Sequence, residues 1–465
     1  MRGIRPRNAR RPLRTMLSVV TVAALLATAC APTAVDTGAT DDPDGPEGGT
    51  DESALSLWYL SDHEVLVQDA IERFNEDFPD ITVDARGVEN DPYKTNLQTA
   101  MGTEVAPDVW HNWTGGWLQQ FVNAGLVAPL DDYMDENQEW ADRLAPSALE
   151  TATFDGSTYA VPTILGAAYV WYRTDIFDEH GLEVPETYDE FLDVATTLRE
   201  AGVAPLALAN SSSWPGAFYL MYFAARSGGA DVFLDAYNRE EGGSFEDEAF
   251  IEAGERIQEL VEMDAFIQGF NGLNYDTGGS RTALYSGDAA MELMGDWTLN
   301  AIREESPDLE ENFDFFTFPM IEGGSDTEVL VGGANGAFSV SADSQNPEAA
   351  QDLVRYLSDQ DAAQSVVDEA LGTPAVTDGV QIDDPFMQRF VESVDDAEFL
   401  QLYYDQFLPP DLAQTHLDTT QQLFGSSMTP QEAAQTMEAQ AEEQLPVEGL
   451  PEEPEPDPDL EDDEG

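Results

Sequence analysis

The sequence predicts an α/β protein of two domains. A folded block of about 390 residues, 54–445, is too large for a single core and has no internal repeat. Strand-like runs alternate with helical patterns along that block, the order that builds parallel α/β units. Serine or threonine followed three residues later by glutamate marks where several helices begin.

The block opens on Leu55-Ser-Leu-Trp-Tyr-Leu60, a strand, followed by Ser61-Asp-His-Glu64, which predicts a capping box. Val67, Ala70, Ile71, Phe74 and Phe78 recur at helical spacing, and Asp80–Asp84 reads as a second strand. Ala106–Trp110 reads as a short strand and Gly115–Leu126 as a helix. Thr187-Tyr-Asp-Glu190 predicts a capped helix running toward Arg199. The Ser339 region reads as a strand, Asn346-Pro347 as the N-cap and first residue of a helix reaching Leu357, and Thr429-Pro-Gln-Glu432 as the cap of a last amphipathic helix.

Composition narrows the function. The 465 residues are 42% hydrophobic and 10% aromatic, ample for a large core. The 92 acidic residues face 18 arginines and one lysine, Lys94, for a net charge of -73. No nucleic acid is expected as a partner, because phosphate binding needs a basic surface that releases counterions. Acidity along the whole chain with lysine almost absent resembles the acidic proteomes of salt-loving organisms, and a merely acidic secreted protein is the competing reading.

The termini are of a different kind. Six arginines lie in the first fifteen residues, an apolar run from Met16 to Ala29 follows, and the small residues Ala27, Thr28 and Ala29 lead to Cys30, the only cysteine. Residues 1–29 read as a signal peptide, and Leu26-Ala-Thr-Ala-Cys30 resembles a lipobox in which Cys30 is the lipidation site, with Ala27 where leucine is preferred. Removing 1–29 takes away six positive charges and no acid, leaving 13 basic against 92 acidic residues, or -79. Residues 30–53, without an aromatic, read as a disordered acidic tether, and 446–465 as a disordered tail of acids and prolines. The protein is expected outside the cytoplasm, held to the cell membrane by its lipid alone.

Five segments in the same order resemble the carbohydrate-binding lipoproteins of ABC importers, the solute-binding family that includes maltose-binding protein. They are Ala106–Trp110 with Gly115-Gly-Trp117 and Ala124–Asp132; Phe154–Pro162 with Val170–Phe177; Val184–Phe191; Ala290–Trp297; and Gly332-Gly-Ala-Asn335 with Asn346–Ala350. The resemblance implies a two-lobed periplasmic-binding-protein fold, with a hinge of several chain crossings and a ligand cleft between the lobes. By position, lobe one is expected from 54–165 and 328–374, and lobe two from 166–327 and 375–445. It implies a monomer that takes a sugar or oligosaccharide and passes it to ABC permease subunits, with no cofactor.

Sugar binding calls for flat aromatic faces against the C–H side of a pyranose and for polar groups around its rim hydroxyls. Trp58 and Tyr59 stand at the carboxyl end of the first strand, the edge where open α/β sheets bind ligands. Trp58, Trp113, Trp214 and Trp297 fall in strand-end or loop contexts, with Asp62, Asn112 and Asp296 as the expected hydroxyl partners. Gly332, Gly333 and Asn335 would let backbone approach the ligand, with a plain turn as the alternative. For each tryptophan an ordinary core position competes. Trp110, Trp117 and Trp171 read as core, and Trp140 as part of a surface helix. The four histidines show no metal-ligand spacing, and no nucleophile elbow or phosphate loop is present. A secreted glycoside hydrolase with paired carboxylates is the main rival function, and a structural surface lipoprotein the third.

Overall fold

Strand β1 (Ala54–Leu60) alternates so that Leu55, Leu57 and Tyr59 enter one core while Ser56, Trp58 and Leu60 face the other way. The computed structural model describes residues 54–239, 242–325 and 327–445, all within one compact unit. The expected signal peptide, Cys30, tether and tail lie outside the described residues. In chain order the further strands are β2 (Thr82–Val88), β3 (Val109–Asn112), β4 (Thr153–Phe154), β5 (Ser157–Thr158), β6 (Val161–Arg173), β7 (Ala204–Ala207), β8 (Ala289–Gly295), β9 (Phe313–Phe316), β10 (Val329–Val340), β11 (Thr373–Pro374) and β12 (Phe399–Leu402). Ten of them form a sheet with the spatial order β2-β1-β3-β10-β6-β8-β7; β9 and β11 pair with β6, and β12 with β10.

Two long strands carry the architecture. β6 pairs with β10 and β11 through its first half and with β8 and β9 through its second, while β10 runs from β12 to β3. Almost every residue of both is buried, as expected of strands covered on both faces. Side chains from 55–161 and 337–376 fill cores on one side of this crossing, and those from 167–331 with 367–445 fill a larger core on the other.

The helix starts divide into two groups. The boxes at Thr187–Glu190 and Thr429–Glu432 form as expected, each side chain meeting the other residue's backbone N–H. Ser61 does not cap: its hydroxyl donates to Glu89 at 2.9 Å, and Ser61–His63 wind a short 3-10 turn before the helix Glu64–Asp77. The second strand begins later than expected, at Thr82, because its full length pairs with β1 through Ala54↔Thr82 to Leu60↔Val88. β3 is likewise displaced, to Val109–Asn112, since Asn112 pairs with Ala337 of β10. Trp140, expected on a surface helix, is buried against Tyr133. Among the described residues no helix is long and apolar enough to cross a membrane.

Candidate functional site

A partly open cavity of about 90 Å³ lies where the two groups of cores meet, lined by residues of both, and is smaller than the roughly 300–1,000 Å³ usual for small-molecule sites. Of the sequence-predicted residues, Asp62, Trp113, Trp214, Trp297 and Asn335 line it.

Local backbone explains how these side chains arrive. Trp297 follows β8, and its ring folds back over Gly295, where a Cβ would stand 2.0 Å from a ring carbon; any side chain there would expel the indole. Its Nε1 donates to the Tyr275 hydroxyl at 2.9 Å, and Tyr275 packs edge-on against Trp214 with centroids 4.7 Å apart. Phe218, one turn along the helix Trp214–Gly228, touches both Trp214 and Trp297. The result is an aromatic wall fixed by its own contacts.

The two remaining tryptophan positions sit beside strained backbone. Thr114, just after Trp113, has φ 60°, and Ser213, just before Trp214, has φ 64°. Non-glycine residues adopt this region at a cost of order 1–3 kcal/mol, and such strain concentrates at ligand sites. Asn112 holds the first: its Oδ1 accepts from the Thr114 amide at 3.0 Å while its Nδ2 donates to Ser339 Oγ at 2.9 Å. Asn112 is therefore fully buried and engaged; the structure gives it the orientation of Trp113 where the sequence suggested a ligand hydroxyl.

Asn335 reaches the cavity through a break in the β6–β10 ladder. Register slips between Ala334 and Gly336, so Asn335 is the extra residue of a bulge, which redirects its side chain. Gly166 opposite leaves the space: a Cβ there would lie 1.7 Å from Asn335 Nδ2. His111 Nε2 lies 3.0 Å from the Asn335 carbonyl, and since burial pushes this imidazole well below its usual pKa, the neutral ring donates from Nε2. Asp296 accepts from Asn335 Nδ2 at 3.4 Å. It does not line the cavity; with burial holding its carboxyl well above the usual range, it supports Asn335 from beneath.

Trp58, Tyr59, Gly332 and Gly333 do not line the cavity either. Strand alternation accounts for the first two: Trp58 lies over its ladder partner Arg86, 4.8 Å from ring to guanidinium, and Tyr59 points into the core under the helix Glu64–Asp77. The two glycines lie in β10 where it crosses β6. Lys94, Tyr275, Tyr403, Asp405 and Gln406 do line it and were missed. Lys94 carried a signal, being the only lysine; Tyr275 sits in a loop and Asp405 in a helix of four residues, neither with a sequence pattern pointing to a ligand.

The rim is also tied. Ser212 Oγ and Asn274 Nδ2 donate to Asp91 Oδ2 at 2.9 and 3.2 Å, and the Asp91 amide donates to Asp276 Oδ2 at 3.0 Å. Desolvation first, then the nearby charges of Asp91 and Glu89, push the Asp276 carboxyl up to about 6. Among the described residues no group of three or more histidine, cysteine or carboxylate side chains is placed to hold a metal ion.

The sequence profile of the bacterial extracellular solute-binding protein family matches residues 61–364. An uncharacterized ABC transporter extracellular-binding protein of Pyrococcus horikoshii is 25% identical over 362 residues, 75% of this chain and 77% of that protein. The arabinooligosaccharide-binding protein of Halalkalibacterium halodurans is 23% identical over 67% of this chain and 68% of its own. A solved structure from work on xylan utilization by the thermophile Caldanaerobius polysaccharolyticus superposes with a TM-score of 0.78 at 31% identity, covering 83% of this chain and 99% of that one. A chitin oligosaccharide binding protein shares the two-lobed fold at a TM-score of 0.76 and 20% identity, over 84% of this chain and 98% of its own. Three of these four are named as binding proteins. With the family profile spanning most of the folded block, the chain belongs to the bacterial extracellular solute-binding proteins.

Proposed function

We propose that this protein is an extracytoplasmic receptor that captures a sugar or oligosaccharide and delivers it to an ABC permease. One observation carries this: the mutually packed wall of Trp214, Tyr275 and Trp297 and the polar side chains of Asp62, Asn90 and Asn335 border the same cavity. Aromatic faces cover the C–H side of a pyranose and polar groups take its hydroxyls. The names of the relatives, an arabinooligosaccharide-binding and a chitin oligosaccharide binding protein, point to the same ligand class. Titrating the mature protein in high salt with mono- and oligosaccharides, while following tryptophan fluorescence and product formation, tests the reading. Quenching without turnover supports the receptor, turnover would make it a hydrolase, and silence toward every sugar would leave a structural role.

The finer parts of this proposal are that Asp62, Trp113, Trp214, Trp297 and Asn335 contact the ligand, and that the lobes exchange chain within β6 and β10. The receptor works as a monomer anchored through lipidated Cys30, and Cys30→Ser should release it from the membrane fraction into the medium; retention would sink the anchor. The acidity serves a salty medium, so unfolding temperature should climb with molar KCl, and a flat response would argue against it.

A further inference from the structure

The only lysine in 465 residues borders the ligand cavity. Lys94 projects from the helix Asn90–Ala100, whose Tyr93 and Leu97 pack in the first group of cores. Its Nζ lies 4.7 Å from the Trp113 ring centre and 3.9 Å from Asp405 Oδ2. Asp405 belongs to the short helix Tyr404–Phe407, whose Tyr404 packs in the opposite core, so the ion pair bridges the two sides of the cavity. Both partners are sheltered, with side chains 26% and 7% exposed.

We propose that the Lys94–Asp405 pair sets ligand specificity, making the cavity charge-balanced so that it takes neutral sugars and rejects acidic ones such as uronates.

This rests on the sugar-receptor reading and concerns which sugars. Among the described residues Lys94 is the only lysine or arginine lining the cavity; His63, the other basic group there, is kept neutral by burial. The ammonium is already matched by Asp405, and Asp62 adds a further carboxylate. A ligand carboxylate would therefore meet no unpaired cation and would add like charge to a desolvated site, which weakens its binding. A neutral polyol meets no such penalty. At 3.9 Å from Asp405 Oδ2 the ammonium pairs by charge without a direct hydrogen bond, so its donors stay free for ligand hydroxyls.

The test is calorimetric titration of the mature protein with neutral pentose and hexose sugars and oligosaccharides, and with glucuronic and galacturonic acids and their oligomers. The parent should bind a neutral sugar and discriminate against uronates by about thirtyfold or more. Asp405→Asn, which frees the ammonium, should shrink that ratio by about tenfold or more, and an unchanged ratio in a folded variant would overturn the proposal. If the parent bound neither panel, the sugar reading itself would fall and this one with it; binding with an unmoved ratio would remove only the present proposal. A second measurement uses no variant. Reductive methylation of the ε-amine of Lys94, read by mass spectrometry, should slow at least fivefold with saturating neutral sugar and stay unchanged with uronate. Equal rates with and without the bound sugar would also overturn the assignment.

Discussion

The segment after β8 and the helix Asn90–Ala100 both border the cavity and are held in opposite ways. On the β8 side, Trp297, Tyr275, Trp214 and Phe218 are fixed by one another, through ring contacts of 4.7–6.4 Å and one hydrogen bond. On the helix side, Asp91 and Lys94 are held by partners from the other side of the molecule, Asp405 for the lysine and Ser212, Asn274 and Asp276 for Asp91. The contacts of the aromatic wall all lie within one side of the molecule, whereas those of the polar wall run from one side to the other. Relative motion of the two sides would therefore leave the first set intact and break the second.

The largest expected effect tests the aromatic wall. Trp297→Ala should weaken binding of the best sugar by about thirtyfold or more, since an anchoring aromatic contributes about 2–4 kcal/mol. Trp58→Ala, which removes an indole packed on Arg86 outside the cavity, should change affinity less than about threefold. The reverse ranking by titration calorimetry would move the site to the edge of β1.

Next comes the layer beneath that wall. Glu292 on β8 is buried, and desolvation pushes its carboxyl up to about 7. A folded-state value above the usual 4.5 means that the stabilising contribution is fully present below about pH 4.5 and is lost as pH rises through 7. Glu292→Gln should therefore gain about 3 kcal/mol over the parent at pH 8 and little at pH 4.5. Equal differences at both pH values in denaturant titrations would show that Glu292 is not held protonated.

The smallest effect concerns the polar wall. With the Asp276 carboxyl raised to about 6 here, its stabilising contribution to this arrangement of the two sides is present in mild acid and lost as pH rises through 6. Sugar affinity should fall a few-fold between pH 5 and 7.5, less in high salt because the group is half exposed. Asp276→Asn should remove that slope. A slope that survives the substitution would assign the pH response elsewhere.

The chain by itself determined a good deal. Hydrophobic alternation in Leu55–Leu60 and the boxes at Thr187–Glu190 and Thr429–Glu432 were enough for an α/β class, because strand period and helix caps are local properties, while the two lobes came from the resemblance of five ordered segments to the solute-binding family. The chemistry of the cavity was legible as a type, tryptophans beside polar residues near strand ends. Which of them face the cavity was decided by the tertiary structure. Trp58 and Trp297 look alike in sequence, yet ladder pairing with Arg86 lays one on the sheet while Gly295 lets the other fold into the cleft. Asn112 and Asn335 are both buried asparagines, and a bulge separates a support from a cavity residue. Lys94 and Asp405 lie 311 residues apart in the chain, so their pairing depends on how β6 and β10 cross between the two sides, a long-range geometry that no local pattern encodes.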